Sequence, residues 1–238
     1  MKVGISILMT LLLITFTANG LYVSDKDELQ FTVSESANAV SGEIDSERIE
    51  SEKEKLEENI DENINFNSTM PYYIRVNRLQ NVVNVYARNE DGTYSPLKAM
   101  ICSIGKATPE SGTSYQTTTL KCRWSSLKGN VYGQYITQIV DSILFHSVPY
   151  TKQAASALEY WEYDKLGTAA SLGCIRLTVK DAKWIYENIV AGTTVEFYEE
   201  ENPGPFGKPI ARKISDNETC RDWDPTDLTE GNPWNSIK

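Results

Sequence analysis

The sequence predicts a mainly β domain with one or two packed helices. Between residues 72 and 198, short runs of β-branched, aromatic and other apolar residues are separated by turn residues, which is the pattern of strands. One later stretch instead repeats its apolar residues with the helical period and has helix-capping residues at its ends. A chain of 238 residues is long enough to bury one sizeable core.

Six segments have the composition of strands. The first two cover residues 72–76 and 81–87, and the turn Asn89-Glu90-Asp91-Gly92 follows the second. Asp-Gly is a strong hairpin signal, so a third strand over residues 97–103 should pair with the second. The remaining predicted strands cover residues 135–140, 142–146 and 195–198.

The predicted helix begins after Thr178. This residue can cap the helix, and Asp181 stands three positions later, at the spacing of a capping box. Gly192 stands just beyond the expected end, where helices commonly stop. One helical face would carry the apolar residues Ala182, Ile185, Tyr186 and Ile189. A second, short helix is predicted over residues 154–160.

Residues 1–20 have the features of an export signal. Lys2 supplies a positive charge, residues 3–16 are mostly apolar, and Ala18-Asn19-Gly20 offers small residues for cleavage. The apolar run is short for a membrane span, so we expect a cleaved signal peptide, with an uncleaved N-terminal anchor as the alternative. Either reading predicts an exported, extracellular protein. Membrane attachment is expected only if the segment stays uncleaved.

The excess negative charge lies in a segment that we interpret as a stalk, residues 21–70. Fourteen acidic and four basic residues lie between positions 25 and 70, which accounts for the whole net charge of −10. The same segment has few large apolar residues, as expected of a solvated spacer. Residues 71–238 are nearly neutral, so the basic surface expected of a nucleic-acid-binding protein is absent.

The C-terminal segment, residues 199–238, begins with Glu199-Glu200-Glu201-Asn202-Pro203-Gly204-Pro205, a clear break after the last predicted strand. It contains Trp223 and Trp234. Because tryptophan side chains are usually buried, we expect this tail to pack on the domain formed by residues 71–198.

The chain has four cysteines but one histidine. The spacings of Cys102, Cys122, Cys174 and Cys220 match no zinc motif, and a single histidine cannot complete a histidine-rich metal site. No metal site is therefore expected. Export permits disulfides, and the pairing, if any, stays open.

The single histidine, His146, precedes Cys174 by 28 residues. A thiol becomes an effective nucleophile when a positioned base takes its proton, and this chain offers one imidazole for that purpose. His146 ends an apolar predicted strand, and Gly173 lets the backbone turn sharply ahead of the thiol. Backbone N–H groups at such a turn can hold an oxyanion. Taken alone, an exported cysteine is more often half of a disulfide or a packed thiol. The residues that flank His146 and Cys174 therefore decide whether the pair is interpreted as catalytic.

The flanking residues are Phe145-His146-Ser147 and Ser171-Leu172-Gly173-Cys174-Ile175-Arg176-Leu177. They resemble the catalytic signature of the L,D-transpeptidases, cysteine enzymes that remodel bacterial peptidoglycan. The resemblance extends over residues 72–198 and implies a β-barrel or sandwich with one or two packed helices. It also implies that Cys174 is the nucleophile and His146 the base, and that the backbone of Ser147 orients the imidazole.

The same resemblance assigns supporting roles. Gly173 would contribute to the oxyanion site, and Ser171 and Arg176 would line the substrate site. Arg176 could bind a stem-peptide carboxylate, with a structural salt bridge as the alternative. Tyr132 and Tyr135 precede the histidine strand and could line the acyl-donor pocket.

Two features depart from the family pattern. Leu172 replaces the histidine that family members usually have just before Gly-Cys, so any role of that histidine is absent here. The segment between base and nucleophile is also long, and residues 148–170 are rich in aromatic side chains. This insertion could form a wall or lid over the groove, or its aromatic residues could simply belong to the core.

The resemblance implies an L,D-transpeptidase of a bacterial cell wall, without metal or cofactor, that joins peptidoglycan stem peptides by 3→3 cross-links through a thioester on Cys174. L,D-carboxypeptidase activity in the same site, with water as acceptor, is an alternative. A non-catalytic cell-wall-binding module with the same fold is another, and unusual reactivity of Cys174 would distinguish an enzyme from it. Sortases also place histidine before cysteine and arginine after it, but their cysteine stands in a different local sequence.

Overall fold

The computed structural model describes residues 69–237. The signal peptide or anchor predicted for residues 1–20 and almost all of the stalk predicted for residues 21–70 lie outside the described residues. Within the described part, no helix is both long and apolar enough to cross a membrane.

The described chain is built mainly from nine strands. The six predicted strands are all present, with ends shifted by a few residues, and three further strands, β4, β5 and β8 below, join them. In chain order the strands are β1 (Tyr72–Asn77), β2 (Val82–Arg88), β3 (Tyr94–Ser103), β4 (Thr113–Gln116), β5 (Lys121–Leu127), β6 (Val131–Val140), β7 (Ile143–Ser147), β8 (Ile175–Leu177) and β9 (Thr194–Tyr198).

All nine strands form one curled sheet in the order β4-β9-β1-β2-β3-β8-β7-β6-β5. The predicted hairpin joins β2 to β3, and Gly92 in its turn has a φ of +92°, a conformation that glycine adopts without strain. Because the sheet curls, the segment that follows β4 lies beside β6. There the backbone N–H of Thr118 donates to the carbonyl oxygen of Gln138. The predicted fold class, a mainly β barrel or sandwich with packed helices, is confirmed.

Within residues 69–237, two α-helices accompany the sheet. The longer one, α2 (Val179–Asn188), begins as predicted, because the hydroxyl of Thr178 accepts a hydrogen bond from the N–H of Asp181. The shorter one, α1 (Tyr160–Tyr163), begins where the predicted helix over residues 154–160 should have ended. That prediction was wrong because the alanine-rich segment forms turns, in which the N–H of Ala157 donates to the carbonyl oxygen of Ala154.

Two apolar clusters lie on opposite faces of the strands that carry the site. Phe145, Ile175 and Leu177 belong to the cluster that packs against Ile185 of α2. Because side chains alternate along a strand, the residues between them face the other way. On that other side, the second cluster joins the insertion to the C-terminal tail and includes Val148, Tyr150, Leu158, Tyr163, Ile214 and Trp234.

The tail lies against the domain and supports α2. Trp234 is buried, and its indole N–H donates to the carbonyl oxygens of Cys220 and Trp223. The buried carboxylate of Asp224 accepts from the N–H of Val179, the first residue of α2, at 2.8 Å. Since the first N–H groups of a helix have no partner within the helix, the tail satisfies a group that would otherwise be left unpaired.

Candidate active site

His146 lies on β7 with its imidazole shielded from solvent, at 2 % exposure. Its Nδ1 is 2.5 Å from the carbonyl oxygen of Ser147. A carbonyl oxygen can only accept a hydrogen bond, so Nδ1 carries the proton of the neutral ring and Nε2 keeps a lone pair for proton transfer. The hydroxyl of Ser147 accepts from the N–H of Gln134 on β6 at 2.9 Å, which fixes the end of β7 that presents the imidazole.

Cys174 lies in the bend directly before β8. Strands β7 and β8 are parallel, with His146 in register with Arg176, so Cys174 is the diagonal neighbour of His146. Phe145 and Ile175 point into the core beneath α2, and alternation therefore puts Cys174, His146 and Arg176 on the opposite face. In parallel strands about 4.8 Å apart, with a rise of about 3.3 Å per residue, a residue and its diagonal neighbour are about 8 Å apart.

The thiol of Cys174 donates a hydrogen bond to the carbonyl oxygen of Ser142 at 3.3 Å. It therefore has to turn away from Ser142 and towards the imidazole of His146 before its proton can be transferred. Such a rotation moves the side chain between staggered positions about one bond. Hydrogen bonds between catalytic groups commonly form or tighten only when substrate is bound.

Burial shifts the pKa values of His146 and Cys174 so that the neutral form of each group is favoured. It lowers the pKa of His146 to about 4, with a further contribution from the positive charge of Arg176 and an opposing one from the hydrogen bond to Ser147. Burial also raises the pKa of the Cys174 thiol above its ordinary value. Near pH 7 both groups are therefore neutral, and a neutral imidazole is competent to act as a base during attack.

The bend that carries the nucleophile is clamped by the loop after β3. The hydroxyl of Thr108 donates to the carbonyl oxygen of Gly173 at 2.7 Å and accepts from the N–H of Gly105 at 2.9 Å. The hydroxyl of Ser171 donates to the carbonyl oxygen of Cys174 at 2.6 Å. A Cβ on Gly105 would lie 2.0 Å from the carbonyl oxygen of Ser171, so the two loops can approach this closely only with glycine at that position.

Arg176 is held by the insertion. Its Nη1 donates to the carboxylate of Glu162 on α1 at 2.5 Å and to the carbonyl oxygen of Ala170 at 3.0 Å. Lys165 is the second partner of Glu162, at 2.6 Å. Burial alone would raise the pKa of Glu162, but its hydrogen bonds with Lys165 and Arg176 outweigh burial and the pKa is lowered. Glu162 is therefore ionised at neutral pH, and Arg176 forms the salt bridge that was the alternative reading of its sequence position.

The two tyrosines predicted to line the acyl-donor pocket have different surroundings. Tyr132 is half-buried and exchanges two backbone hydrogen bonds of 2.8 Å with Tyr150 of the insertion. Tyr135 has a φ of +52°, and its ring packs 5.6 Å from that of Tyr186 on α2 and 3.9 Å from the guanidinium of Arg123. The structure therefore packs Tyr135 against the helix, and its side chain also borders both apolar clusters.

The insertion contributes both core and surface. Tyr150 and Tyr163 are fully buried, whereas Trp161 is 45 % exposed. Leu172, directly before Gly173, is 61 % exposed and adds an apolar surface beside the nucleophile.

All four cysteines are free thiols, and burial raises the pKa of Cys102 far above its ordinary value, which makes that thiol unreactive.

Sequence reasoning missed two contributors to the site and gave no role to two others. Thr108 and Gly105 stand in a stretch, Gly105 and then Thr108-Pro109-Glu110-Ser111-Gly112, that loosely resembles a turn of the family, and in the structure they act through the backbone of the nucleophile bend. Glu162 is one of several charged residues in the insertion, and no sequence motif connects it to Arg176, with which it pairs in the structure. Ser142 acts through its carbonyl oxygen, for which its side chain gives no signal.

Comparison with known proteins yields one family. A family model described as the L,D-transpeptidase catalytic domain matches residues 71–197. Among curated proteins, YciB of Bacillus subtilis (strain 168), which carries a provisional L,D-transpeptidase name, is 60 % identical over 52 residues. The match covers 22 % of this chain and 26 % of YciB, so the chain spans about a quarter of the curated relative that it matches.

Matches to solved structures have lower sequence identity. An L,D-transpeptidase from Mycobacterium tuberculosis is 22 % identical with a TM-score of 0.42, over 54 % of this chain and 58 % of that chain. A fused zinc-dependent amidase, peptidase and peptidoglycan-binding protein from Clostridium acetobutylicum is 23 % identical with a TM-score of 0.40, over 54 % of this chain and 52 % of that chain.

Proposed function

Because the matching catalytic domain covers more than half of its sequence, the protein belongs to the L,D-transpeptidase catalytic domain family, and we propose that it forms 3→3 cross-links between peptidoglycan stem peptides. The acyl donor would be a tetrapeptide stem that ends in D-alanine. The acceptor would be the side-chain amine of a second stem. The observation that carries this proposal is that β7 and β8 bring His146 and Cys174 to one face of the sheet, with Nδ1 of the imidazole tied to Ser147.

In the first half-reaction, Nε2 of His146 takes the proton of the Cys174 thiol as the sulfur attacks the carbonyl carbon of the third stem residue. The carbonyl oxygen becomes an oxyanion, which we assign to backbone N–H groups at Gly173 and Cys174. Collapse of the tetrahedral intermediate breaks the peptide bond. The imidazolium returns its proton to the departing amine, D-alanine leaves, and Cys174 holds the stem as a thioester.

In the second half-reaction, the amine of the acceptor stem attacks the thioester carbon and loses a proton to His146. The new amide bond forms, and the sulfur leaves as a thiolate that recovers this proton. The resting thiol and neutral imidazole are thereby restored. Hydrolysis would follow the same course with water in place of the amine, giving an L,D-carboxypeptidase.

The sequence features of residues 1–20 lead us to propose that these steps take place outside the cytoplasm, where peptidoglycan stems are found. The chemistry described here requires no metal or cofactor. Within residues 69–237, no group of three or more histidine, cysteine or acidic side chains is arranged to hold a metal ion.

Mass spectrometry of a reaction between the purified protein and a synthetic tetrapeptide stem tests the proposal. A transpeptidase should release D-alanine, add the tripeptide acyl mass to Cys174 and then produce stem dimers. The Cys174→Ala variant, which has no thiol at this position, should do none of these. Release of D-alanine with tripeptide but no dimer would favour the carboxypeptidase, and the absence of any acyl-enzyme would favour the wall-binding module.

A further inference from the structure

The guanidinium of Arg176 is engaged on one side only. Both of its hydrogen bonds, to Glu162 and to the carbonyl oxygen of Ala170, start from Nη1. Within residues 69–237, no hydrogen bond uses Nε or Nη2 of this residue, and its side chain is 15 % exposed. These two atoms form the edge of a guanidinium that binds a carboxylate through two parallel hydrogen bonds.

Arg176 belongs to the strand face that carries the nucleophile. Arg176 follows Cys174 by two residues on β8 and is in register with His146. In a tetrapeptide stem, the carboxylate of the terminal D-alanine is separated from the attacked carbonyl carbon by one nitrogen and one carbon atom. A carboxylate bound beside Cys174 would therefore hold the scissile bond near the sulfur.

Arg176 is directed by a residue that the insertion supplies. Glu162 lies on α1, between the base and the nucleophile in sequence, and both partners of this ion pair are only 15 % exposed. Because Arg176 has five N–H donors in a rigid plane, fixing Nη1 also fixes where Nε and Nη2 point. A pair at this level of burial is less screened by solvent than a surface ion pair.

We propose that Glu162 is a positioning residue that turns the Nε–Nη2 edge of Arg176 towards the terminal carboxylate of the donor stem. This inference rests on the proposed function and adds to it a requirement for a free carboxylate next to the bond that is cleaved. The insertion thereby acts as a fixed wall of the donor site. A second carboxylate is available in stems whose third residue carries one on its side chain, and the experiment separates the two sources.

The experiment compares tetrapeptides with lysine as third residue that end in either a free carboxylate or a carboxamide. The release of the terminal residue gives kcat and KM for the wild type, Glu162→Ala, Glu162→Gln and Lys165→Ala. We expect the wild type to prefer the free acid by roughly tenfold or more, the range of a hydrogen bond to a charged group. The preference should disappear in Glu162→Ala, mainly through a higher KM for the acid.

The matched variants separate positioning from general stability. Glu162→Gln keeps an oxygen that accepts from Nη1, so the preference should persist. Lys165→Ala removes the other partner of Glu162, at 2.6 Å, without touching Arg176, and should also keep the preference. If Glu162→Ala fails to fold, Arg176→Lys serves instead, because lysine can pair with Glu162 but has no second edge, and the preference should be lost.

Equal rates of the wild type on acid and amide, or a preference that survives in Glu162→Ala or Arg176→Lys, would overturn this inference alone. A third peptide carries a side-chain carboxylate on its third residue and ends in the carboxamide. If that peptide restores the rate, the carboxylate is the wrong one and the assignment to the terminus is overturned. Failure of the wild type to release a terminal residue from any peptide would overturn the proposed function itself.

Discussion

The hydroxyl of Thr108 donates a hydrogen bond to the carbonyl oxygen of Gly173 at 2.7 Å, one residue before the nucleophile. The same hydroxyl accepts from the N–H of Gly105, so one side chain joins the loop after β3 to the bend before β8. Cys174 is therefore positioned from two directions, by the strand that follows it and by a clamp from a distant part of the chain.

Replacing Thr108 by valine keeps the shape of the side chain but leaves a buried carbonyl and a buried N–H without this partner. We expect the free energy of unfolding to fall by about 1–3 kcal/mol and β-lactam acylation of Cys174 to slow by about tenfold. Thr108→Ser retains the hydroxyl and should stay near the wild type in both measurements. Denaturant unfolding and intact-mass kinetics give the two quantities, and a valine variant that matches the wild type would show that the clamp is dispensable.

The sequence predicts the strands with regular alternation but not those whose formation depends on their neighbours. β8 has only the three residues Ile175, Arg176 and Leu177, too few to show a period, and it exists because β3 and β7 flank it. β5 is partly buried along most of its length, so its sequence Lys-Cys-Arg-Trp-Ser-Ser-Leu shows no inward and outward alternation. The helix α2 was predictable because its cap is local, between Thr178 and Asp181.

The residues of the site can likewise be divided into those that the sequence predicts and those that depend on the tertiary fold. His146 and Cys174 could be found from sequence because the chain has a single imidazole and the residues around the thiol form a distinctive motif. The partners of Arg176 could not, because Glu162 and the carbonyl oxygen of Ala170 reach it through the fold of the insertion. The φ of +52° at Tyr135 is likewise a tertiary effect, since tyrosine has no intrinsic preference for the left-handed region.

Burial of His146 makes a prediction about the pH dependence of acylation. An ordinary imidazole would lose its capacity to accept a proton below about pH 6.5. Because burial lowers the pKa of His146 to about 4, the rate of acylation should stay level as the pH falls from 7 to 5 and decline only as the pH approaches 4. Stopped-flow acylation across this range measures the position of the decline. A midpoint near 6.5 would show that the imidazole is more solvated than this structure has it.

The same shift links His146 to stability. Between about pH 4 and pH 6.5 the unfolded chain binds a proton on this ring that the folded protein does not, so stability should fall as the pH falls through that window. In His146→Ala this contribution disappears, and the variant should lose less stability over the same range. Urea unfolding of both proteins at several pH values tests the difference. Parallel curves would mean that His146 titrates equally in the folded and unfolded states.

Asp224 makes a prediction about the C-terminal tail. Its carboxylate accepts from the N–H of Val179 at 2.8 Å and from Thr226, so Asp224→Ala should leave the first turn of α2 without this partner. Loss of an N-terminal helix partner of this kind costs about 0.5–2 kcal/mol. Glu230→Ala, at an exposed position of the same tail, is the control and should leave the melting temperature unchanged. Equal melting temperatures for the two variants would mean that the tail does not stabilise α2.

Time-resolved intact-mass analysis of the protein with a carbapenem tests the catalytic pair most directly. The wild type should gain a single adduct that maps to Cys174, and Cys174→Ala should gain none. In His146→Ala the adduct should form about 10²–10⁴-fold more slowly, because the variant keeps the thiol but has no imidazole to take its proton. Equal rates for His146→Ala and the wild type, or an adduct on Cys102, Cys122 or Cys220, would contradict the assignment of Cys174 as the nucleophile and His146 as its base.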